Sequence, residues 1–177
     1  MRVRVAQPHE ADTVLALVEA LVTELGDEGR EFTLIDREKL RDALSRELGA
    51  GSEPGSGSGR FLALLAVDES DTPIGVLTLS TSFAIYAGGE YGVIDEMYVG
   101  PEWRGQGVGR RLAEAARRIA RRRSWFRLDV TGPAASDAAR ALRFYEGLGF
   151  EHTGPKMRMI LAPSPALHRP LTESEST

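Results

Sequence analysis

Hydrophobic positions near the N-terminus repeat first at every second residue and then at helical spacing. Arg2 to Ala6 alternates polar and apolar side chains, which predicts a half-buried strand. An apolar stripe between Pro8 and Gly26 predicts a helix that ends at the glycine. A second helix is predicted to begin at Asp36, as its cap, and to end at Gly49.

Two strand-like runs follow a glycine-rich stretch in the middle of the chain. Phe61 to Val67 and Ile74 to Ser80 are separated by turn-forming residues 68–73, which predicts an antiparallel hairpin. The same reasoning predicts the remaining elements: a strand that ends near Val99, a helix over 107–123, a strand over Trp125–Val130, a helix from Ser136 or Asp137 to Leu148, a strand from Phe150 and a last strand over Met157–Leu161.

Length and composition favour one domain over residues 1–162. With 177 residues and 42% hydrophobic content, the chain can bury one substantial core but hardly two. Gly49 to Gly59 has the composition of a flexible linker, and residues 1–48 alone could hardly form a core, so we expect a flexible loop within that domain. Residues 163–177 are rich in Pro, Ser and Thr without periodicity, which predicts a disordered tail.

Several classes of protein are disfavoured by the residues that the chain lacks. Without cysteine there is neither a disulfide framework nor a thiolate metal site. The three histidines, His9, His152 and His168, lack the spacing of a ligand cluster, so no metal is expected. No apolar run approaches the length of a membrane span, and we expect a cytoplasmic protein that does not associate with membranes.

Charge is unevenly distributed along the chain. Residues 1–100 contain 18 acidic and 8 basic side chains, whereas residues 101–177 contain 8 and 14. The basic half suits an anionic cofactor and the acidic half a cationic acceptor. Helix 107–123 is rich in arginine, but arginine outnumbers lysine throughout the chain, so we expect no nucleic-acid partner.

A glycine-rich turn precedes that basic helix. Arg104-Gly105-Gln106-Gly107-Val108-Gly109 places glycine at every second position. Glycine lets a ligand approach the backbone, and a helix N-terminus attracts anions, so the segment suits a phosphate or pyrophosphate. Arg110 excludes G-x-G-x-x-G, and G-K-[ST] is absent, so neither a dinucleotide fingerprint nor a P-loop is present.

Two motifs resemble those of the GCN5-related N-acetyltransferases. Ile94 to Leu112 contains the R-x-x-G-x-G signature after a strand end, and Ala141 to Phe150 reads A-L-R-F-Y-E-G-L-G-F. They occur in the family's order. The resemblance implies an α/β (α+β) fold, in which about four helices flank a central twisted sheet of six to seven strands, mixed but mostly antiparallel. Homodimers are common in that family, so the resemblance also allows a homodimer.

The resemblance implies an acetyl-CoA-dependent N-acetyltransferase. The acetyl group would pass to a primary amine, here expected to belong to a small molecule, by direct attack through a tetrahedral intermediate. One alternative acceptor is a protein or peptide N-terminus. The other alternative is a non-catalytic regulator that binds acyl-CoA, which is favoured by Ala138 at a position where family members often have a cofactor-contacting Asn.

The resemblance also implies roles for individual residues. Asp95 and Glu96 are both candidates for the base, because successive strand residues point to opposite faces and only one faces the acceptor directly. Tyr145 would protonate the departing thiolate. Backbone N–H groups near Met97 and Tyr98 would polarise the thioester. The other cofactor-binding residues would be Val99, along the pantetheine arm, and Arg104, Gly105, Gln106, Gly107, Val108, Gly109 and Arg110, around the pyrophosphate.

Overall fold

A computed structural model of the chain describes residues 1–26, 32, 35–51, 59–131, 138–154 and 159. In this part of the chain, five strands form one sheet in sequential order. The strands are β1 (Arg2–Val5), β2 (Phe61–Val67), β3 (Pro73–Ala84), β4 (Gly89–Val99) and β5 (Leu128–Val130).

The sheet is mixed and mostly antiparallel, as predicted. β1 to β4 pair antiparallel, and β5 runs parallel to β4. The ladder between β4 and β5 ends at the Ile94–Val130 pair, whereas β4 continues to Val99. The last five residues of β4 therefore extend beyond β5, with β3 alongside them on the other side.

The described residues form four α-helices: α1 (Ala11–Leu25), α2 (Arg37–Gly51), α3 (Val108–Arg122) and α4 (Ala138–Glu146). On one face of the sheet, Leu77 and Ile94 belong to a buried cluster with Leu112 of α3. On the other face, the buried cluster contains Val14 of α1 and Leu48 of α2. Burial of these two apolar faces is the main stabilising contribution that the fold makes.

Two sequence predictions were wrong in detail. Gly49 does not end α2, which continues to Gly51, although Asp36 caps the helix by accepting the Glu38 N–H at 3.1 Å. No strand begins at Phe150: Gly149 adopts φ +87°, and the Phe150 N–H bonds to the Tyr145 carbonyl at 3.0 Å as a helix stop. The described residues form five strands against the six to seven predicted, and the last predicted strand lies mainly outside them.

Some predictions lie wholly or mainly outside the described residues. These are the flexible loop, of which 52–58 is not described, the tail over 163–177, and the last strand over Met157–Leu161. Of that strand only Met159 is described, and it is 83% exposed and not in a strand. The cap of α4 at Ser136 or Asp137 also lies outside.

Candidate active site

A β-bulge in β4 determines how its two acidic residues are presented. Leu79 pairs with Ile94 and Leu77 pairs with Met97, so Asp95 and Glu96 together lie opposite Thr78. Two residues that oppose one break the alternation of faces and re-aim side chains. The simple alternation predicted for Asp95 and Glu96 therefore does not hold at this point of the strand.

The structure distinguishes the two carboxyl groups by their burial. Asp95 is exposed, whereas Glu96 is partly buried and bonded to Thr78, which is only 1% exposed. The Thr78 hydroxyl donates to Glu96 Oε2, and Thr78 Oγ1 accepts the Glu96 backbone N–H at 3.0 Å. Burial raises the pKa of Glu96, the nearby Asp95 charge raises it further, and the Thr78 hydrogen bond lowers it. A carboxyl group with a raised pKa is suited to accept a proton near neutral pH.

Thr78→Val is expected to move the acid limb of a kcat/KM profile to higher pH. The hydroxyl stabilises the charged form of Glu96, so its loss raises the pKa of the carboxyl group and leaves less carboxylate at a given pH. Thr81→Val is the control, because Thr81 lies on the same strand but accepts a hydrogen bond from Arg123 at 3.2 Å. An unmoved acid limb in Thr78→Val would contradict this role for Thr78.

Tyr145 contacts β4 although it lies 48 residues after Met97 in the chain. It lies on α4, and its hydroxyl donates to Met97 Sδ at 4.0 Å, a long, weak contact. Edge contacts with Phe144 and Phe150, at centroid distances of 5.3 and 5.6 Å, hold its ring. Burial raises the pKa of Tyr145 to about 12. The phenol therefore keeps its proton throughout the physiological range.

Two glycines of the turn before α3 are favoured by their backbone conformation. Gly105 and Gly107 adopt φ of +77° and +80°, which favour glycine. Gly107 is also the N-cap of α3, and no side chain caps this helix. Because the first turn of a helix leaves N–H groups without intrahelical acceptors, this end of α3 can bind an anion through its backbone.

Gly109 is needed for packing rather than for its dihedral angles. A Cβ atom at Gly109 would lie 2.9 Å from Met97 Cε and 3.2 Å from Phe144 Cζ. The close approach brings α3, β4 and α4 together beside Tyr145. The glycine at this position thus allows α3 to pack closely against Met97 of β4 and Phe144 of α4.

Gly109→Val is expected to lower the free energy of unfolding by about 1–3 kcal/mol through overpacking, which urea denaturation would measure. Glu114→Val is the control for a valine on the exposed face of the same helix. Because glycine is a poorer helix former than valine, Gly109→Val without a clash should be neutral or slightly stabilising. An unchanged or raised free energy of unfolding in Gly109→Val would therefore show that packing at Gly109 does not matter.

The other residues predicted around the pyrophosphate differ in their surroundings. Val108 is buried in the core, and Arg110 is exposed on α3. Gln106 donates to the Glu102 carbonyl at 2.8 Å. Arg104 is held by Glu24 of α1, with Nη2 to Oε1 at 2.7 Å. Sequence analysis missed Glu24 because its last-turn position on an amphipathic helix carries no signal of a partner 80 residues away.

The described residues contain neither a metal-binding cluster nor a membrane-spanning helix. No group of three or more His, Asp or Glu side chains is placed to hold a metal ion among them. In the same part of the chain, no helix combines the length and the apolar character needed to cross a membrane.

The chain belongs to the acetyltransferase (GNAT) family, whose sequence profile matches residues 19–150. Members of this family generally use acetyl-CoA as acetyl donor. No curated protein matches the chain. The resemblance predicted from the two motifs is thus confirmed at the level of the family.

Solved structures share the fold at low sequence identity. An aminoglycoside acetyltransferase from an uncultured soil metagenomic sample, in complex with trehalose, is 20% identical with a TM-score of 0.67, and the alignment covers 90% of this chain and 95% of that one. A ribosomal-protein-alanine N-acetyltransferase from Brucella melitensis biovar Abortus 2308 is 17% identical with a TM-score of 0.64, over 91% and 100%. A transcriptional regulator from Bacillus halodurans C-125 is 20% identical with a TM-score of 0.66, over 90% and 99%. At these identities the comparisons confirm the fold class alone.

Proposed function

We propose that this protein transfers the acetyl group of acetyl-CoA to a primary amine of a small molecule. The observation that carries the proposal is that three features lie on or beside β4: the partly buried carboxyl group of Glu96, the phenol of Tyr145 near Met97, and the glycine-led start of α3, where Gly109 approaches Met97. They come from three parts of the chain. Together they supply a base, an acid and an anion-binding backbone, which acetyl transfer from an anionic thioester to an amine requires.

The start of α3 fits the pyrophosphate of coenzyme A. Gly105 and Gly107 leave the backbone open: a Cβ atom at either position would meet nothing within 4 Å. The uncapped N–H groups of the first turn of α3 would donate to phosphate oxygens. When bound, acetyl-CoA supplies an activated acyl group, while the chain supplies orientation and proton transfer.

Proton transfer is the chemical work that the side chains would perform. An alkylammonium has a pKa of about 10.4, so the acceptor must lose a proton before its nitrogen can attack. Glu96 would accept this proton, directly or through one water, and the neutral nitrogen would then form the N–C bond. Tyr145, which is protonated at neutral pH, would donate its proton to the sulfur as the C–S bond breaks. The second proton that the nitrogen loses on becoming an amide would restore the phenol.

The structural neighbours support an amine acceptor without identifying it. One is named for aminoglycosides and was also solved in complex with sisomicin, and another is named for the alanine of a ribosomal protein. We propose the small-molecule class because exposed or partly exposed polar and aromatic side chains of β3, β4 and β5, including Ser82, Tyr91 and Asp129, continue from Glu96 along the sheet.

The experiment is a measurement of thiol release from acetyl-CoA with polyamines, amino acids, aminoglycosides and short peptides. We expect release with one class of small amine. Release with peptides alone would contradict a small-molecule acceptor and indicate a peptide acceptor. Tight binding of acetyl-CoA in the same samples, with no release for any acceptor, would contradict the enzymatic proposal and favour a regulator that binds acyl-CoA.

A further inference from the structure

Three contacts, from α1 and β4, hold the guanidinium group of Arg104. Its Nε donates to the Val99 carbonyl at the end of β4, at 2.9 Å. Its Nη2 lies 2.7 and 2.8 Å from the two carboxylate oxygens of Glu24, in the last turn of α1. The guanidinium carbon lies 5.5 Å from the ring centroid of Tyr98. Arg104 is therefore positioned before any ligand arrives, and Nη1 supplies two further N–H donors.

Glu24 also interacts with Tyr98, so the three side chains form one cluster. Tyr98 is 9% exposed. Burial and the neighbouring Glu24 carboxylate raise the pKa of Tyr98, so its phenol stays protonated beside Glu24. The cluster joins the end of α1, the end of β4 and the first residue of the turn from Arg104 to Gly109.

We infer that Glu24 is a positioning residue for cofactor binding, an inference that depends on the function proposed above. Through Arg104 it would hold the start of the turn, so that the backbone between Gly105 and Gly109 keeps the orientation in which it meets the pyrophosphate. That turn contains two glycines at positive φ, and glycine can adopt many other conformations when it is unconstrained. Contacts that fix the first residue of the turn therefore have a large effect on its order.

The ion pair between Arg104 and Glu24 is partly exposed to solvent, which limits its contribution to global stability. The side chains of Arg104 and Glu24 are 30% and 43% exposed. Ion pairs this exposed add little to global stability. Loss of the Glu24 charge should therefore leave the fold intact and alter the turn that Arg104 begins.

Glu24→Gln is expected to raise the KM for acetyl-CoA about two- to fivefold, with little change in kcat. S-acetylpantetheine lacks the pyrophosphate and the nucleotide, so the same variant should use this truncated donor as well as the unsubstituted protein does. The matched control is Glu19→Gln on the same helix, because Glu19 pairs with Arg37 of α2 at 2.8 Å and should leave both donors unaffected.

Two results would overturn the inference. One is an unchanged or lowered KM for acetyl-CoA in Glu24→Gln. The other is an equal loss with S-acetylpantetheine, which would indicate a general structural defect. Failure of the proposed function looks different, because the unsubstituted protein would then turn over neither donor. In that case calorimetric titration with coenzyme A tests the positioning role of Glu24. Equal dissociation constants for Glu24→Gln and the unsubstituted protein would overturn it.

Discussion

Glu96→Gln is expected to lower kcat/KM by about 10²–10⁴-fold, the range that a general base contributes. The amide cannot accept the proton of the acceptor amine, although it keeps the shape of the carboxyl group. In the unsubstituted protein, the raised pKa of Glu96 places the acid limb of the kcat/KM profile above the usual range of a glutamate, and activity falls as the pH falls through it. That limb should disappear in the variant.

Stability measured in parallel distinguishes a catalytic from a structural role for Glu96. Because its pKa is higher in the folded than in the unfolded state, the ionised carboxyl group destabilises the fold at pH values above the unfolded pKa. Glutamine removes that charge and still accepts the Thr78 hydroxyl, so the Tm at neutral pH should stay the same or rise. A lower Tm with retained activity would contradict the assignment of Glu96 as base.

Asp95→Asn is the matched control on the same bulge. Asp95 is exposed, so its charge is screened by solvent and its removal is expected to lower kcat/KM much less. The reverse result, a large loss in Asp95→Asn and a small loss in Glu96→Gln, would assign the base to Asp95.

Tyr145→Phe is expected to lower kcat about 10²-fold or more while the KM for acetyl-CoA changes little. Phenylalanine keeps the edge contacts with Phe144 and Phe150 and loses only the hydroxyl, so the packing of α4 is preserved. Since the pKa of Tyr145 is about 12, its ionisation should produce no basic limb near neutral pH in the unsubstituted protein.

A change of leaving group tests the role of Tyr145 as acid. In an acetyl thioester of an acidic aromatic thiol, the leaving group is a stable thiolate that needs no proton. With this donor, Tyr145→Phe should recover most of the lost turnover relative to the unsubstituted protein. An equal defect with both donors, or an unchanged kcat with acetyl-CoA, would remove proton donation by Tyr145 from the mechanism.

Much of the fold could be predicted because its signals are local. The apolar stripe of α3 and the turn between β2 and β3 are visible within a few residues of sequence, and both predictions were confirmed. The prediction of a strand at Phe150 was wrong because Phe150 instead packs its ring against Tyr145 and ends α4. In the sequence, an apolar residue after a helix stop looks the same whether it begins a strand or packs against the preceding helix.

The sequence by itself determined the family, the secondary-structure order and the glycine turn, because periodicity, helix stops and positive φ at glycine depend on neighbouring residues. Only the tertiary structure decided which side chains meet. Thr78 reaches Glu96 across 18 residues, Tyr145 reaches Met97 across 48, and Arg104 reaches Glu24 across 80. Such contacts depend on strand register, a bulge and helix packing. These are set by burial of the whole core, so no short stretch of sequence encodes them.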